Sequence, residues 1–157
     1  MPTPVWFAPW RPGPADRNPT DGDREAVLVS VTEFTAHRPW TALGVSAAGL
    51  ALRRTWPEVA GAVGLWLWTG RDLARPRSGS VSVWRDAAAL RDFVARHDHV
   101  RIMRDYRDRG TLRSTTWRAA PFDREVTLAT AMSLLTGAVA WPRARADGEP
   151  GAPPRLA

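Results

Sequence analysis

The chain has 157 residues, no cysteine and a formal net charge of +6 at pH 7. This length suits one domain with a single hydrophobic core, and the lack of cysteine excludes disulfides, cysteine-bound metal centres and thiol nucleophiles. All 22 basic residues are arginine, as GC-rich coding favours. We therefore interpret the positive charge as solvated surface and not as a nucleic-acid site.

Proline divides the chain into a folded middle and two tails. Six of the 14 prolines lie in the first 19 residues and four in the last 16. This predicts a Pro-rich tail at 1–24, a folded domain at 25–118, a helical extension at 119–142 and a disordered tail at 143–157. An aromatic group in the first tail either docks onto the domain or forms a partner-binding motif: Trp6, Phe7 and Trp10.

No secretory or membrane segment is predicted. Residues 1–18 lack the basic start and apolar run of a signal peptide. The longest uncharged apolar stretch, Val126 to Trp141, is shorter than the roughly 20 residues of a membrane helix. We therefore expect a cytoplasmic protein without a membrane partner.

The first half of the folded region predicts strand, helix, strand. Apolar and polar residues alternate over Ala26–Phe34 and again over Val63–Thr69. Pro39 suits the first turn of a helix that runs to about Arg54, and Pro57 ends it. Four apolar residues recur along that helix at helical spacing: Trp40, Leu43, Ala47 and Leu50.

The second half repeats the order. A third strand is predicted over Gly79–Arg85, Asp86 is the expected N-cap of a helix from Ala87, and Gly110 precedes a last strand over Thr111–Trp117. Asp123 is a candidate cap for one more helix. The order βαββαβ predicts an α+β, ferredoxin-like plait: a four-stranded antiparallel sheet with two helices on one face, followed by an extra C-terminal helix.

The strand alternation predicts two different sheet faces. One is mainly Val and Leu: Val29, Val31, Leu65, Leu67, Val81, Val83 and Leu112. The other holds Trp66, Trp68, Trp84 and Trp117 with Phe34. Because such an apolar patch marks an interface or a ligand site, we predict a homodimer through the tryptophan face. That face is either a plain aromatic dimer core or a cavity for a small apolar molecule, with polar residues among the rings: Ser30, Thr32, Ser82, Arg113 and Thr115.

The second predicted helix carries two apolar stripes that cannot both face one sheet. The first consists of Leu90, Phe93, Val94 and His97, and the second of His99, Ile102, Met103 and Tyr106. They lie nearly opposite each other at 100° per residue. We therefore predict a break at His97–Asp98, with Asp98 capping a second segment. His97 or His99 is then a general base or a haem ligand, or else a packed or capping residue.

At this point the chain resembles a known superfamily. The order of elements and the run from Ser80 to Asp86 (SVSVWRD), followed by Leu90, Phe93 and His99, are similar to the dimeric α+β barrel superfamily and, within it, to spheroidene monooxygenase-like proteins. That superfamily includes cofactor-free antibiotic-biosynthesis monooxygenases and haem-degrading enzymes. The resemblance implies a dimer of plaits with a cavity between helices and sheet. In haem-binding members a histidine of the second helix often holds the iron, which would fall on His97 or His99.

We accordingly expect a small-molecule enzyme of monooxygenase type, acting in secondary metabolism on an apolar aromatic or polyene substrate. The candidate catalytic residues are His97 and His99, and the candidate substrate-binding residues are Trp66, Trp68, Trp84, Tyr106, Arg113 and Trp117. The cofactor is either haem or none, and no metal-ligand spacing is present.

Two alternatives stay open. One is a non-catalytic ligand-binding or accessory dimer of the same fold. The other is RNA binding, because RNA-recognition motifs share the βαββαβ order and read bases with sheet aromatics. The predicted third strand offers one ring, Trp84, where those motifs need several, so nucleic acid is disfavoured as a partner.

Overall fold

The computed structural model describes residues 4–16, 26–142 and 150–154. Its elements in chain order are β1 (Val5–Phe7), β2 (Arg11–Pro12), β3 (Val27–Ala36), α1 (Pro39–Thr55), β4 (Ala62–Gly70), β5 (Arg77–Trp84), α2 (Ala87–Val94), α3 (His97–Tyr106), β6 (Gly110–Ala119) and α4 (Arg124–Thr136). A 3₁₀ turn, Trp56–Glu58, follows α1. No helix in these ranges is long and apolar enough to cross a membrane.

The strands form one antiparallel sheet in the order β1-β4-β5-β3-β6, and β2 also pairs with β4. The inner order β4-β5-β3-β6 is that of a ferredoxin-like plait, in which the first and third strands are central. The predicted α+β class and the extra C-terminal helix are confirmed. Asp86 and Asp123 cap α2 and α4 as expected, each accepting a bond from a backbone N–H three residues on.

The N-terminal segment belongs to the sheet, which corrects the prediction of a tail at 1–24. Ala8 N–H donates to the Leu67 carbonyl at 2.8 Å, and Gly13 N–H donates to the Val63 carbonyl at 2.9 Å. Proline composition did not reveal this, because a strand bonds through its backbone and an edge strand tolerates proline. Residues 1–3, 17–25, 143–149 and 155–157 lie outside the described residues, and the predictions of tails are not tested there.

Register between strands corrects the predicted faces. Val29 pairs with Val83 and Trp117, and Val81 pairs with Val31 and Trp66. Directly opposed residues share a face, so the valines lie with these tryptophans and not opposite them. Trp84 pairs instead with Leu28 and lies on the helix side. Alternation within one strand is visible in sequence, but a shift of one residue between strands exchanges the faces.

Helix α4 covers the sheet face that carries Trp66, Trp68 and Trp117. Ala131, Leu134 and Leu135 pack into the same apolar cluster, and Trp10 of the N-terminal segment stacks on Trp66 with ring centroids 4.3 Å apart. The tryptophan face is therefore kept from water within one chain. The prediction that this face forms the interface of a homodimer is therefore wrong. Dimerisation itself stays a prediction.

A buried carboxylate fastens α4 to this face. Glu33 is 4% exposed and pairs with Arg77 and Arg113, each at 2.9 Å. The Arg77 guanidinium also donates to the Leu135 carbonyl of α4 at 3.2 Å. Arg113 stacks over Trp141, 4.1 Å from the ring centroid. One carboxylate thus joins three strands to the C-terminal helical region.

Candidate functional site

A patch of hydroxyl groups lies at the centre of the helix side of the sheet. Ser30 pairs with Ser82, and Thr32 pairs with Ser80, across β3 and β5. The hydroxyl oxygens of Thr32 and Ser80 are 2.9 Å apart. Ser82 and Ser30 are buried, whereas Thr32 and Ser80 are half-buried. On this side the four hydroxyls form a polar floor, which we call the hydroxyl floor, and its Thr32–Ser80 half is incompletely covered.

One end of the hydroxyl floor is closed by aromatic rings. Trp84 Nε1 donates to the Ser82 hydroxyl at 2.9 Å. The rings of Trp84, Trp56 and Phe93 pack against one another with centroid distances of 5.0 to 5.8 Å. The His99 ring packs on Phe93 with a centroid distance of 4.9 Å. The alternation of Ser and Val in β5 predicts a strand, but nothing local in the sequence shows that Trp56 and Phe93 meet there.

Tyr106 marks the opposite end. Its ring meets Phe34 edge to face at 6.5 Å, and Phe34 pairs with Ser78 beside the hydroxyl floor. A Cβ added at Gly44 of α1 would meet the Tyr106 hydroxyl oxygen at a clashing 2.4 Å. Glycine at this position therefore lets α1 approach Tyr106 closely, so that α1 and α3 meet above the Tyr106 end of the hydroxyl floor.

Helix α3 spans the two ends without being buried itself. No residue of α3 is fully buried, and its inner face presents His99, Ile102 and Tyr106 as half-buried side chains. His99 and Tyr106 are seven residues apart on that face, which is about 10 Å along the axis. We call the region bounded by α1, the inner face of α3 and the hydroxyl floor the groove; it has an imidazole at one end and a phenol at the other.

The second predicted helix is broken in two, as expected, but the break lies before His97 and not at His97–Asp98. Helix α2 ends at Val94 and α3 begins at His97, with Arg96 at the N-cap position. Asp98 is therefore in the first turn of α3 and does not cap it. Its carboxylate accepts hydrogen bonds from the Arg96 guanidinium at 3.2 Å, an interaction that spacing alone does not reveal.

His99 has the chemistry of a neutral base. Its Nδ1 atom is buried and makes no well-formed hydrogen bond among the residues that the structure describes, an arrangement that is costly unless a ligand or water supplies one. Burial lowers the pKa of His99 from its usual 6.5, while a distorted hydrogen bond of the imidazole to the Val94 backbone and the negative charge of Asp98 oppose that change. A neutral imidazole at pH 7 can accept a proton.

This lowered pKa predicts a stability change with pH. The unfolded chain binds a proton at His99 more readily than the folded chain, so the free energy of unfolding should fall as the pH drops through about 6.5. We expect the melting temperature of the wild type to decrease more between pH 7.5 and 5.5 than that of His99→Phe. Equal decreases in both proteins, measured by thermal denaturation, would contradict the burial of a neutral imidazole.

The other predicted site residues divide between the two faces. Trp84 and Tyr106 lie with His99 on the helix side, and His97 is exposed at the start of α3. The remaining four belong to the α4 side: Trp66, Trp68, Trp117 and Arg113. They cannot line a pocket with His99, because the sheet separates them. The sequence prediction missed Phe93, Phe34 and Ser80, which lie at the groove.

A cavity lies on the α4 side of the sheet. It has a volume of about 510 Å³ and is lined by Glu33, Thr35, Asp72, Arg75, Arg77, Thr111 and Arg113. Glu33 already pairs with two of its three arginines. The lining contains no histidine or other neutral base. We therefore assign its ion pairs to the attachment of α4 and not to acid–base chemistry.

Neither predicted haem ligand fits a haem. The macrocycle needs an open apolar slot beside its axial ligand. The His99 ring packs on Phe93, which in turn packs on Trp84 and Trp56, so aromatic rings occupy that side of the imidazole. His97 is exposed to solvent. We therefore assign neither histidine to haem iron.

Solved structures with the same fold come from several bacteria. PA3566 from Pseudomonas aeruginosa is 21% identical, with a TM-score of 0.52 over 62% of this chain and 98% of its own. SO0527 from Shewanella oneidensis is 16% identical, with a TM-score of 0.51 over 62% and 93%. SnoaB from Streptomyces nogalater, a cofactor-independent oxygenase, is 23% identical, with a TM-score of 0.49 over 60% and 94%.

The first two likenesses show the fold, an α+β plait of the ferredoxin-like kind, and at these identities they show the fold alone. No protein-family model matches the sequence, and no curated protein matches it either. Because one fold of this kind hosts several chemistries, function has to be argued from the groove.

Proposed function

We propose that this protein is a small-molecule oxygenase of the cofactor-free type, which binds a flat, apolar, phenolic substrate in the groove between the sheet and α1 and α3. The observation that carries the proposal is the buried Nδ1 of His99, on the inner face of α3, which lacks a well-formed hydrogen bond among the described residues. The oxygenase-like fold adds support. From the sequence we also propose that the protein acts in secondary metabolism, that it lies in the cytoplasm and that it forms a homodimer.

The residues of the groove suit such a reaction. His99 would accept a proton from the substrate, which leaves an electron-rich anion able to react with O₂ without a metal. Tyr106 and the hydroxyls of Thr32 and Ser80 would bond substrate oxygens. Phe34 would pack against the ring system. Cover by α1 and α3 would limit the access of water to a reactive intermediate.

The proposal is tested by O₂ uptake. Purified protein is mixed with a panel of polycyclic phenols and anthrones, and O₂ consumption is recorded with an oxygen electrode. We expect at least one substrate for which one O₂ is used per oxygenated product, with water as the second product. A panel in which the protein never exceeds the uncatalysed rate would contradict an oxygenase of this type.

A non-catalytic ligand-binding protein is the second candidate. Packing of Trp56, Trp84 and Phe93 at one end of the groove favours it, because these rings leave less room for a substrate. Quenching of tryptophan fluorescence by panel compounds without O₂ uptake would support this candidate. RNA binding is not proposed, since helices cover both faces of the described plait.

A further inference from the structure

The cavity on the α4 side of the sheet, which we call the arginine cavity, gathers three guanidinium groups. Its lining contains Arg75, Arg77 and Arg113 together with two carboxylates, Glu33 and Asp72. These side chains carry three positive charges and two negative charges, which leaves a surplus of one positive charge. The volume of about 510 Å³ lies within the range of small-molecule pockets. The arginine cavity thus has the room and the charge for a small anion.

Strand register places the polar lining of this cavity on one surface. Thr35 of β3 pairs with Arg77 of β5 and with Thr111 of β6, and Glu33 of β3 pairs with Arg113 of β6. Directly opposed residues share a sheet face, and so do residues two apart in one strand. The two threonines therefore lie beside the two strand arginines on the α4 face, where their hydroxyl groups add uncharged donors to the lining.

Glu33 holds two of the guanidinium groups without using all of their donors. Its Oε2 atom accepts a bond from Arg77 at 2.9 Å, and its Oε1 atom lies 2.9 Å from both Nε and Nη2 of Arg113. Arg77 also donates to the Leu135 carbonyl. Because a guanidinium group has five N–H donors, each arginine keeps donors beyond these bonds. Glu33 therefore fixes the positions of both arginines and leaves donors for a ligand.

Arg75 supplies the surplus charge. It lies in the loop between β4 and β5, and its guanidinium group forms no ion pair within the ranges that the structure describes. The turn that carries it is fixed by Asp72, whose carboxylate accepts bonds from the backbone N–H groups of Ala74 and Arg75 at 2.9 and 3.3 Å. The arginine cavity thus combines one loop cation with two anchored strand cations.

We propose that the arginine cavity binds a small molecule that carries a phosphoryl group. Arginine forms strong, charge-assisted bonds with phosphate oxygens. One guanidinium fork can saturate a planar carboxylate, whereas the tetrahedral phosphoryl group accepts bonds from several directions, as the donors of a loop and two strands require. This site lies across the sheet from the groove, so phosphate binding and the proposed O₂ uptake can fail separately.

Isothermal titration calorimetry with inorganic phosphate and with glycerol phosphate tests the arginine cavity. We expect saturable binding that Arg75→Gln weakens by about tenfold or more, because a hydrogen bond to a charged group contributes strongly. Arg101→Gln is the matched control, since it removes the same charge from an exposed arginine of α3 on the other side of the sheet. Both variants should melt near the wild-type temperature, because both side chains are exposed.

Two further comparisons test the charge and the shape of the ligand. Asp72→Asn removes a carboxylate from the lining but keeps an oxygen for the turn, so it should bind phosphate more tightly than the wild type. Succinate at equal ionic strength should bind more weakly than phosphate. A wild type without saturable phosphate binding, equal weakening by Arg75→Gln and Arg101→Gln, no tightening in Asp72→Asn, or tighter binding of succinate would each overturn the proposal.

Discussion

Replacing His99 with glutamine is expected to lower kcat for substrate-dependent O₂ uptake by about 100-fold or more, the usual contribution of a general base. Glutamine keeps a polar side chain of similar length but cannot accept the substrate proton at neutral pH. KM should change much less than kcat, because the hydroxyls and aromatic rings of the groove remain. Steady-state kinetics with the best substrate of the panel measures both constants.

His97→Gln is the matched control for this experiment. His97 has the same side chain and lies two residues earlier on α3, but it is exposed at the helix start. Its replacement should leave kcat within about twofold of wild type, an effect expected of a surface substitution. If His99→Gln kept the wild-type kcat, or if both variants lost activity equally, His99 would not be the base.

Replacing Glu33 with alanine is expected to lower the free energy of unfolding by about 3 to 5 kcal/mol, the cost of removing one partner from a buried ion pair. The change leaves Arg77, whose side chain is 17% exposed, without its carboxylate beside the core. It also weakens the attachment of α4, because Arg77 reaches the Leu135 carbonyl from the same position. Urea unfolding monitored by tryptophan fluorescence measures the loss.

The triple variant Glu33→Leu, Arg77→Met, Arg113→Met separates charge from packing. It removes the carboxylate and both guanidinium groups together, and apolar replacements of a buried ion network are often neutral or stabilising. We expect it to recover most of the stability lost in Glu33→Ala. A loss below about 1 kcal/mol in Glu33→Ala would show that solvent screens the pair, as it does for surface ion pairs.

Local patterns in the sequence located most of the elements. Alternation and capping residues placed the plait strands, α1 and the starts of α2 and α4 to within about two residues, because those signals depend on neighbours along the chain. The two stripes on the second helix also predicted that it must break. The position of the break was not predictable in the same way, because Arg96 stands at the N-cap of α3 without a side-chain capping bond, whereas the sequence offered Asp98 as the cap.

The sequence could not show which residues would form the candidate site. It identified His99, Tyr106 and Trp84, which the structure brings to one groove, together with Trp66, Trp68, Trp117 and Arg113, which it places across the sheet. Strand register decides this division, and register depends on pairing between segments far apart in the chain.

By itself, then, the sequence determined the α+β plait, its caps and the presence of a neutral-base candidate on a broken helix. Only the tertiary structure decided that α4 and residues 4–16 cover the tryptophan face, that His99 packs on Phe93 on the helix side of the sheet, and that Trp40, Leu43 and Leu50 of α1 face solvent. The physical reason is that periodicity records which residues share one side of an element. Which side meets the core is fixed by competition among all the apolar faces for a limited interior.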